Sequence, residues 1–322
     1  MDDNKTFTLL GDKFAAASID FSRPMRVAFI TYDGSVKYSA ANGFDEIQDL
    51  LPFLQSKGLD IHEEIWDDPA VDWTAYQVAL LRMPWDYHQK FEEFKAWLTK
   101  IESLGITLLN NYETVRWNID KHYLQQITNA GCQVIPSIFL EQGWNDGLPL
   151  LFDALSSDQI ILKPCVSGGS RDTLKVSRTA FQEAQAVLAE LLTQGAYIAQ
   201  PFMKEINDGE WSFTFFNGTY SHTILKKPKA GDFRVQQFFG GTIERIDPQQ
   251  EHIDQAASFV SAFAPETLYA RVDGLMVDNN FMLMELELVE PFLYLAYHPE
   301  ALGNFYRALT EKINELAEAE IA

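Results

Sequence analysis

Short apolar runs alternate with amphipathic segments along the chain from residue 25 onward. MRVAFIT (25–31), YQVALLR (76–82) and GITLLNN (105–111) are predicted strands. Segment 88–104 repeats apolar residues at helical spacing and predicts a helix that covers their sheet. The apolar face of this helix comprises Phe91, Phe94, Trp97, Leu98 and Ile101. Such alternation is typical of an α/β unit with a largely parallel sheet.

The pattern changes in the second half of the chain, which becomes α+β in character. QIILKP and AYIAQPF are predicted strands around a helix at 179–194, and Asn118 is predicted to cap an earlier helix that ends at Gly131. WSFTFFNG and TYSHTILKKP alternate apolar and polar residues around Asn217 and Gly218, which predicts a hairpin. A helix near 249–264, a second hairpin at 269–290 and a helix at 299–321 complete the pattern. Segment 1–24 has no clear period and is interpreted as an N-terminal extension.

Composition excludes several classes of partner. The chain has 322 residues and a formal net charge of −21, which argues against binding to nucleic acid or to anionic membranes. Two cysteines cannot form a disulfide framework, and no apolar run approaches the roughly 20 residues of a membrane helix. The sequence therefore predicts a cytoplasmic protein that acts on small molecules. It leaves the oligomeric state open, and a homo-oligomer is compatible with it.

Carboxylates are concentrated in the second hairpin, YARVDGLMVDNNFMLMELELVEP. A three-residue turn at 278–280, with Asn280 left-handed, places Val277 opposite Phe281 and Asp273 opposite Glu285. Strand alternation then predicts one face that carries Phe281, Leu283, Glu285, Glu287 and Val289. The opposite face carries Met282, Met284, Leu286 and Leu288.

Three carboxylates on one face repel each other unless protons or cations intervene. Oxygen ligands without cysteine or histidine suit Mg²⁺, with Mn²⁺ as an alternative, so Asp273, Glu285 and Glu287 are candidate metal ligands. The alternative is a solvated edge strand in which Arg271, opposite Glu287, balances the charge.

A basic strand end precedes a glycine-rich loop in QIILKPCVSGGSRDT. Lys163 ends the apolar strand, and the loop that follows contains Ser167, Gly168, Gly169 and Ser170. Glycines let backbone N–H groups approach phosphate oxygens, and a lysine adds a point charge. The order of residues is not that of a Walker loop, and an ordinary surface loop is the alternative.

These motifs occur in an order that resembles the ATP-grasp superfamily, in particular its bacterial glutathione synthetase-like branch. The resemblance covers about residues 118–291, and the wider pattern is similar to cyclo-ligases of the cycloserine type. It implies an ATP-grasp fold with a Rossmann-like pre-ATP-grasp substrate domain at 25–117. It also implies a small lobe at 118–200 and a C-terminal lobe with the metal site at 201–322. Many relatives have asparagine at the position of Glu287, which leaves that ligand less secure.

The resemblance also implies roles for individual residues. NIDKHYL and ILKP correspond to segments that supply the nucleotide lysines, and SGGS to a phosphate lid. AQPF corresponds to the adenine hinge, where the backbone around Phe202 reads the ring edge, and DGEWSF to an acidic position after the hinge. The implied nucleotide residues are Lys121, Lys163, Ser167, Gly168, Gly169, Ser170, Gln200, Pro201, Phe202 and Glu210. Each also has a plain structural interpretation, as a surface charge or a core residue.

The resemblance implies an ADP-forming ligase. ATP converts a substrate carboxylate into an acyl phosphate, an amine or similar nucleophile displaces phosphate, and two Mg²⁺ ions bridge the phosphate oxygens. Lys226 and Arg234 are the implied catalytic residues, with Arg234 stabilising the transferred phosphoryl group. Amide bond formation between molecules and cyclisation within one remain open.

Substrate residues are expected where LLRMPWDYHQ leaves a strand. Arg82 is a candidate partner for a substrate carboxylate and Asp86 for an amine, with Tyr87 beside them, while a helix cap with aromatic packing is the alternative. His222, near Lys226, is a further candidate. Two other functions stay open. A regulatory protein with the same nucleotide site would not release ADP, and a Rossmann-type oxidoreductase is disfavoured because YDGSVKY lacks GxGxxG.

Overall fold

The computed structural model describes residues 25–34 and 45–319, which form three sheets in chain order. The expected extension at 1–24 lies outside the described residues. The mixture of a parallel sheet and two antiparallel sheets confirms the predicted α/β class with an α+β C-terminal part. No helix within the described ranges is long and apolar enough to cross a membrane, and the cytoplasmic location stays a prediction.

The first sheet is parallel, with strand order β2-β1-β3-β4. Its strands are β1 (Val27–Thr31), β2 (Ile61–Ile65), β3 (Val78–Met83) and β4 (Thr107–Leu109), and its helices are α1 (Leu51–Ser56) and α2 (Phe91–Ser103). A π-helical turn (Glu46–Leu50) precedes α1, and a 3₁₀ turn (Trp73–Ala75) precedes β3. Every residue of β1 and β3 is buried, as expected for central parallel strands. The predicted covering helix is confirmed, with Phe94, Trp97, Leu98 and Ile101 buried.

Two short helices, α3 (Tyr112–Asn118) and α4 (Tyr123–Asn129), replace the single helix predicted after residue 118. The prediction of an N-cap at Asn118 is wrong because this residue ends α3. Its side-chain amide donates to Leu286 O at 2.7 Å and its oxygen accepts from Leu288 N at 2.8 Å. Asn118 thus fixes the strand that carries the carboxylates. The left-handed end at Gly131 is confirmed by its φ of 84°.

The second sheet is antiparallel, with strand order β5-β8-β6-β7. It contains β5 (Ile138–Leu140), β6 (Gln159–Pro164), β7 (Leu174–Ser177) and β8 (Tyr197–Pro201), with α5 (Leu148–Ala154) and α6 (Gln182–Leu191). The predicted strands around a helix are confirmed, and the glycine-rich loop connects β6 to β7.

The third sheet is antiparallel, with strand order β11-β10-β9-β12-β13. Its strands are β9 (Glu210–Phe216), β10 (Thr219–Lys227), β11 (Thr242–Ile246), β12 (Tyr269–Val277) and β13 (Asn280–Glu287). Helices α7 (Gln250–Phe263) and α8 (Ala301–Ala319) accompany it, with 3₁₀ turns at Lys204–Asn207, Gln237–Phe239 and Leu295–Tyr297. The first predicted hairpin is confirmed, since Asn217 and Gly218 both have positive φ, as a type I′ turn requires.

The turn of the second hairpin differs from the prediction. Asp278 and Asn279 have φ of 49° and 63° and form a two-residue turn, so Val277 lies opposite Asn280. The register then shifts by one residue at Met284, and Asp273 lies opposite Glu285 as predicted. A β-bulge compensates for the shorter turn. The predicted pairing is confirmed although the turn from which it was inferred is wrong.

Glycine is required at this bulge. A Cβ on Gly274 would lie 2.2 Å from Met282 O and 2.5 Å from the Phe281 ring. Between the bulge and the turn, the side chains of β13 point to the faces opposite to those predicted. Phe281 and Leu283 pack in the same core as Leu286 and Leu288, whereas Met282 and Met284 pack in a separate cluster. The predicted grouping of faces is therefore wrong on the turn side of the bulge, because an extra residue inverts a period of two.

Buried polar contacts join the first sheet to the third. Asn110, at the end of β4, donates to Tyr269 O and Leu288 O at 2.8 and 2.7 Å and accepts from Leu268 N at 2.7 Å. The Tyr269 hydroxyl donates to Leu81 O at 2.5 Å. These bonds fix the carboxylate hairpin against the C-terminal ends of β3 and β4.

Candidate active site

A cavity of about 730 Å³ is lined by residues of the second and third sheets, of the loop that follows β3 and of the connecting segments. Its volume lies in the range of small-ligand sites. It brings together all but three of the candidate residues. The candidates in its wall are Tyr87, Lys121, Lys163, Ser167, Gly168, Gly169, Ser170, Gln200, Pro201, Phe202, Glu210, Lys226, Arg234, Asp273, Glu285 and Glu287.

The carboxylate hairpin supplies one wall of the cavity. Arg271 Nη2 lies 2.9 Å from Asp273 Oδ2 and also contacts Glu287, while its Nη1 donates to Phe292 O at 2.9 Å. The expected opposition of Arg271 and Glu287 is therefore present as an ion pair. Asp273 has a second cationic partner, Lys226, at 3.1 Å.

Protonation differs among the three carboxylates. Burial favours the neutral acid at Asp273, but Arg271 and Lys226 outweigh it and lower the pKa of Asp273 below its usual range. Burial is likewise outweighed at Glu285, where Lys121 and Lys163 lower the pKa. At Glu287 burial prevails, supported by Asp273 and Glu285, and raises the pKa to about 8 in spite of Arg271. One acid of the cluster thus holds a proton near neutral pH.

By its chemistry this donor set suits a hard divalent cation, although within the described residues only Asp120, His122 and Cys165 bring three possible ligand atoms within 4.8 Å of one another. Three carboxylates gather on neighbouring strands, and the proton on Glu287 marks negative charge that the nearby basic groups do not fully neutralise. Mg²⁺ prefers oxygen ligands of this kind. Glu285 and Glu287 both have side chains 28% exposed, so they remain accessible from the cavity.

Lys121 connects the carboxylates to the glycine-rich loop. Its Nζ lies 3.2 Å from Glu285 Oε1 and donates to Ser167 O and Oγ at 3.2 and 3.3 Å. Lys163 lies half-buried in the same wall without a salt bridge among the described residues, and desolvation lowers its pKa. Lysines placed at the loop in this way suit phosphate oxygens.

The basic residues expected to act in catalysis lie on β10 and on the segment that follows it. Lys226 contacts Glu210 and Asp273, so it bridges two acids of the third sheet. Arg234 lies in the segment after β10, where it is paired with Asp232 at 2.8 Å and stacked 3.6 Å from the Phe239 ring. This segment reaches the glycine-rich loop, because Gln236 donates to Ser170 Oγ at 2.7 Å.

The expected adenine hinge lies at the end of β8. Gln200 Nε2 donates to Ser137 Oγ at 2.9 Å, which leaves its Oε1 to accept from an exocyclic amine. Lys175 Nζ lies 3.4 Å from the centre of the Phe202 ring. The Phe202 N–H donates to Gln159 O at 2.8 Å, so this group is already used within the sheet. If the backbone around Phe202 contacts the edge of the adenine ring as predicted, it must therefore do so through a group other than this N–H.

Three candidate substrate residues lie outside the cavity wall. Arg82 is fully buried, with Nε and Nη2 each 2.7 Å from Glu46, and Nη2 also donates to Pro291 O. Asp86 accepts from Trp66 Nε1 at 2.8 Å and pairs with Lys90 at 2.7 Å. His222 is buried, 3.0 Å from Leu293 O. Tertiary partners occupy these three groups, and of the four candidate substrate residues only Tyr87 lines the cavity, so a substrate role for the other three stays a prediction.

Two residues in the wall were not anticipated from the sequence. His88 follows Tyr87, and both of its ring nitrogens are buried without a hydrogen-bond partner among the described residues. Glu290 lies three residues after Glu287, and burial raises its pKa to about 7. An acid directly before a proline, shortly after the strand that carries the candidate metal ligands, was the available signal.

Comparisons with known proteins agree with this geometry. Residues 27–110 match the family described as the N-terminal domain of the D-cycloserine synthetase DcsG. The cycloserine biosynthesis protein DcsG of Streptomyces lavendulae is 28% identical, across 82% of this chain and 94% of the relative. The crystal structure of D-cycloserine synthetase DcsG superposes with a TM-score of 0.76 at 26% identity, over 89% of this chain and 99% of that one.

The fold is shared with more distant enzymes. A D-alanine–D-alanine ligase from Bacillus anthracis, solved with ATP, has a TM-score of 0.65 at 17% identity and covers 91% of this chain and 99% of its own. The chain shares the ATP-grasp fold. The ATP-grasp ligase PsnB was solved with a phosphomimetic variant of its minimal precursor, Mg and ADP. It has a TM-score of 0.59 at 13% identity and covers 89% of this chain and 99% of its own. ATP-grasp neighbours thus bind adenine nucleotides and Mg, and the ligase interpretation is favoured over a regulatory protein.

Proposed function

We propose that this ATP-grasp ligase activates the carboxylate of a small molecule and closes it into a ring, as a cyclo-ligase. The observation that carries the proposal is the single cavity wall in which nucleotide lysines, carboxylates and a basic loop meet. The similarity to a D-cycloserine synthetase, which extends through the N-terminal domain, supports cyclisation.

In this reaction the substrate carboxylate attacks the γ-phosphate of ATP, which gives an acyl phosphate and ADP. A nucleophile of the same molecule then attacks the acyl carbon and releases phosphate. Lys121 and Lys163 hold phosphate oxygens, and the loop at 167–170 covers them. Arg234 leaves Asp232 to stabilise the transferred phosphoryl group. No covalent intermediate with the protein is required, since catalysis consists of positioning and charge neutralisation.

Asp273, Glu285 and Glu287 would hold two Mg²⁺ ions, with Mn²⁺ as a substitute. When bound, these ions neutralise charge on the phosphate oxygens. Glu287 must lose its proton and loosen its contact with Arg271 to become a ligand. Glu210 keeps Lys226 in place beside Asp273. Gln200, Pro201 and Phe202 would line the adenine end.

Each of the three proposed domains has one role in this reaction. Residues 25–117 select the substrate, 118–200 cover the nucleotide, and 201–322 supply the carboxylates. The substrate carries both the carboxylate and the nucleophile, so no separate amine is needed. This feature distinguishes a cyclo-ligase from a ligase that joins two molecules.

The test is ADP release from the full chain with ATP and Mg²⁺, using a panel of small amino acids that bear a second nucleophile. A carboxylate labelled with ¹⁸O should transfer one labelled oxygen to the released phosphate. Mass spectrometry should find a product lighter than the substrate by one water. Release of ADP that requires a second amine would replace cyclisation by intermolecular ligation, and label-free phosphate would overturn the acyl phosphate.

A further inference from the structure

A cluster of possible metal ligands lies outside the cavity wall. Asp120, His122 and Cys165 each offer one ligand atom, and these three atoms lie within 4.8 Å of one another. None of the three residues lines the cavity, although Lys121, which stands between two of them in the sequence, does. Within the described residues no other group of histidine, cysteine and acidic side chains is gathered so closely. The cluster is therefore separate from the carboxylates of β12 and β13.

Backbone contacts bring the two segments of this cluster together. Asp120 and His122 lie in the short connection between α3 and α4, and Cys165 directly follows β6. The Lys121 N–H donates to Cys165 O at 2.9 Å, and the Cys165 N–H donates to Ala196 O at 2.9 Å. Main-chain bonds therefore hold the thiol next to the connection without using any of the ligand atoms. Such support from the backbone is what a pre-organised site requires.

The ring of His122 is oriented by acids at both of its nitrogens. Nδ1 lies 2.6 Å from Asp120 Oδ1, and Nε2 lies 3.2 Å from Glu141 Oε1. The ring also stacks on Phe139, with ring centres 4.5 Å apart. Even a protonated imidazole balances only one of the two acids, so the side chains of the cluster carry an excess of negative charge. A bound cation would neutralise it.

The donors of this cluster differ in kind from the cavity carboxylates. A thiol, an imidazole and a carboxylate supply the sulfur, nitrogen and oxygen ligands that zinc binds, whereas Mg²⁺ prefers oxygen alone. Zinc ligands stand about 2.0–2.3 Å from the ion, so tetrahedral ligand atoms are about 3.5 Å apart and these groups need to approach by roughly 1 Å at most. The side chains of Asp120 and His122 are 38% and 33% exposed while Cys165 is buried, so an ion can enter from solvent.

We propose that Asp120, His122 and Cys165 bind a zinc ion, with Glu141 or a water molecule as the fourth ligand. Cys165 binds as the thiolate, so the thiol proton passes to solvent when the ion enters. The ion bridges the connection before α4 to the end of β6, and these two segments carry the two lysines proposed to hold phosphate. Zinc thus ties together the supports of both lysines without contacting a nucleotide. The inference does not depend on the proposed function.

Equilibrium dialysis of the tag-free full chain against Zn²⁺, with Mg²⁺ in excess to occupy oxygen sites, tests the proposal. Wild type should retain one zinc ion per chain. In Cys165→Ser, and in His122→Phe, which can keep the stack on Phe139, the Kd for zinc should rise at least about 100-fold, because groups that only support a ligand already contribute about 10- to 100-fold. Cys132→Ser, at the other cysteine of the chain, is the matched control and should leave the Kd unchanged.

Cobalt(II) in place of zinc gives a spectroscopic measurement at the same site. Wild type and Cys132→Ser should show charge-transfer absorption from a thiolate to cobalt, and Cys165→Ser should lose it. His122→Phe, on the partly exposed side of the cluster, provides the same comparison if Cys165→Ser does not fold. Failure of wild type to retain zinc overturns the inference, and so does absorption that depends on Cys132. Zinc that is retained in folded Cys165→Ser and lost in Glu285→Gln would place the ion among the cavity carboxylates and overturn it as well.

Discussion

The proposed nucleotide end of the cavity and its proposed substrate end are built in different ways. At the nucleotide end, Lys121, the loop at 167–170 and the hinge at 200–202 occupy the wall through short local segments. At the substrate end, Arg82 and Asp86 are bound by distant residues, and the wall is formed instead by Tyr87, His88 and Glu290. Binding groups that follow a strand directly can be recognised in sequence. Groups selected by tertiary pairing cannot.

The largest expected effect is at the nucleotide end. Glu285→Gln removes the charge that faces both Lys121 and Asp273, and we expect kcat to fall about a thousandfold, near 4 kcal/mol. Phosphate release measures it. At the substrate end, Asp86→Asn should keep kcat within about threefold, because it retains an acceptor for Trp66. Comparable losses in both variants would remove the distinction between the two ends.

The second prediction concerns Arg82. Arg82→Met leaves Glu46 buried without its partner, and we expect the free energy of unfolding to drop by about 3 kcal/mol. The exposed pair of Arg116 and Glu102 provides the control, since Arg116→Met should cost less than about 1 kcal/mol. Urea unfolding measures both.

Activity separates the two interpretations of Arg82. A substrate partner would show a raised substrate KM with normal stability, whereas a buried ion pair shows lost stability. Replacing Glu46 by leucine together with Arg82→Met should recover part of the loss, because no unpaired charge remains. An intact unfolding midpoint in Arg82→Met contradicts the structural role.

Sequence predicted the fold where each signal was local. The Asn217–Gly218 turn and the apolar face of α2 needed only neighbouring residues. The bulge at Met284 was not predictable, because it depends on the close approach of Gly274 to the next strand. Asn118 appeared to be a helix cap, since its real partners, Leu286 and Leu288, are far along the chain. Glu290 was missed for the same reason, because its neighbours in the cavity are far from it along the chain.

The third prediction uses the proton on Glu287. Its pKa is about 8 in the folded protein against 4.5 as the ordinary value, so the folded state binds more protons between these values. Stability should therefore fall as pH rises from 5 to 8, by about 1 kcal/mol per pH unit, when EDTA removes divalent ions. Mg²⁺ should restore it at pH 8. Glu287→Gln should flatten the slope, and a stability that rises with pH in this range contradicts the assignment.

The smallest expected effect concerns one side-chain amide, that of Gln200, at the proposed nucleotide end of the cavity. Gln200→Leu removes the Oε1 acceptor proposed for the adenine amine, and we expect the KM for ATP to rise about fivefold, near 1 kcal/mol, with kcat unchanged. Discrimination between ATP and GTP should fall by the same factor, because guanine presents oxygen at that position. Gln125→Leu on the exposed face of α4 is the matched control. If Gln200→Leu lowers affinity for both nucleotides equally, the side chain acts by supporting Ser137 and β5, and even the nucleotide end depends on tertiary pairing.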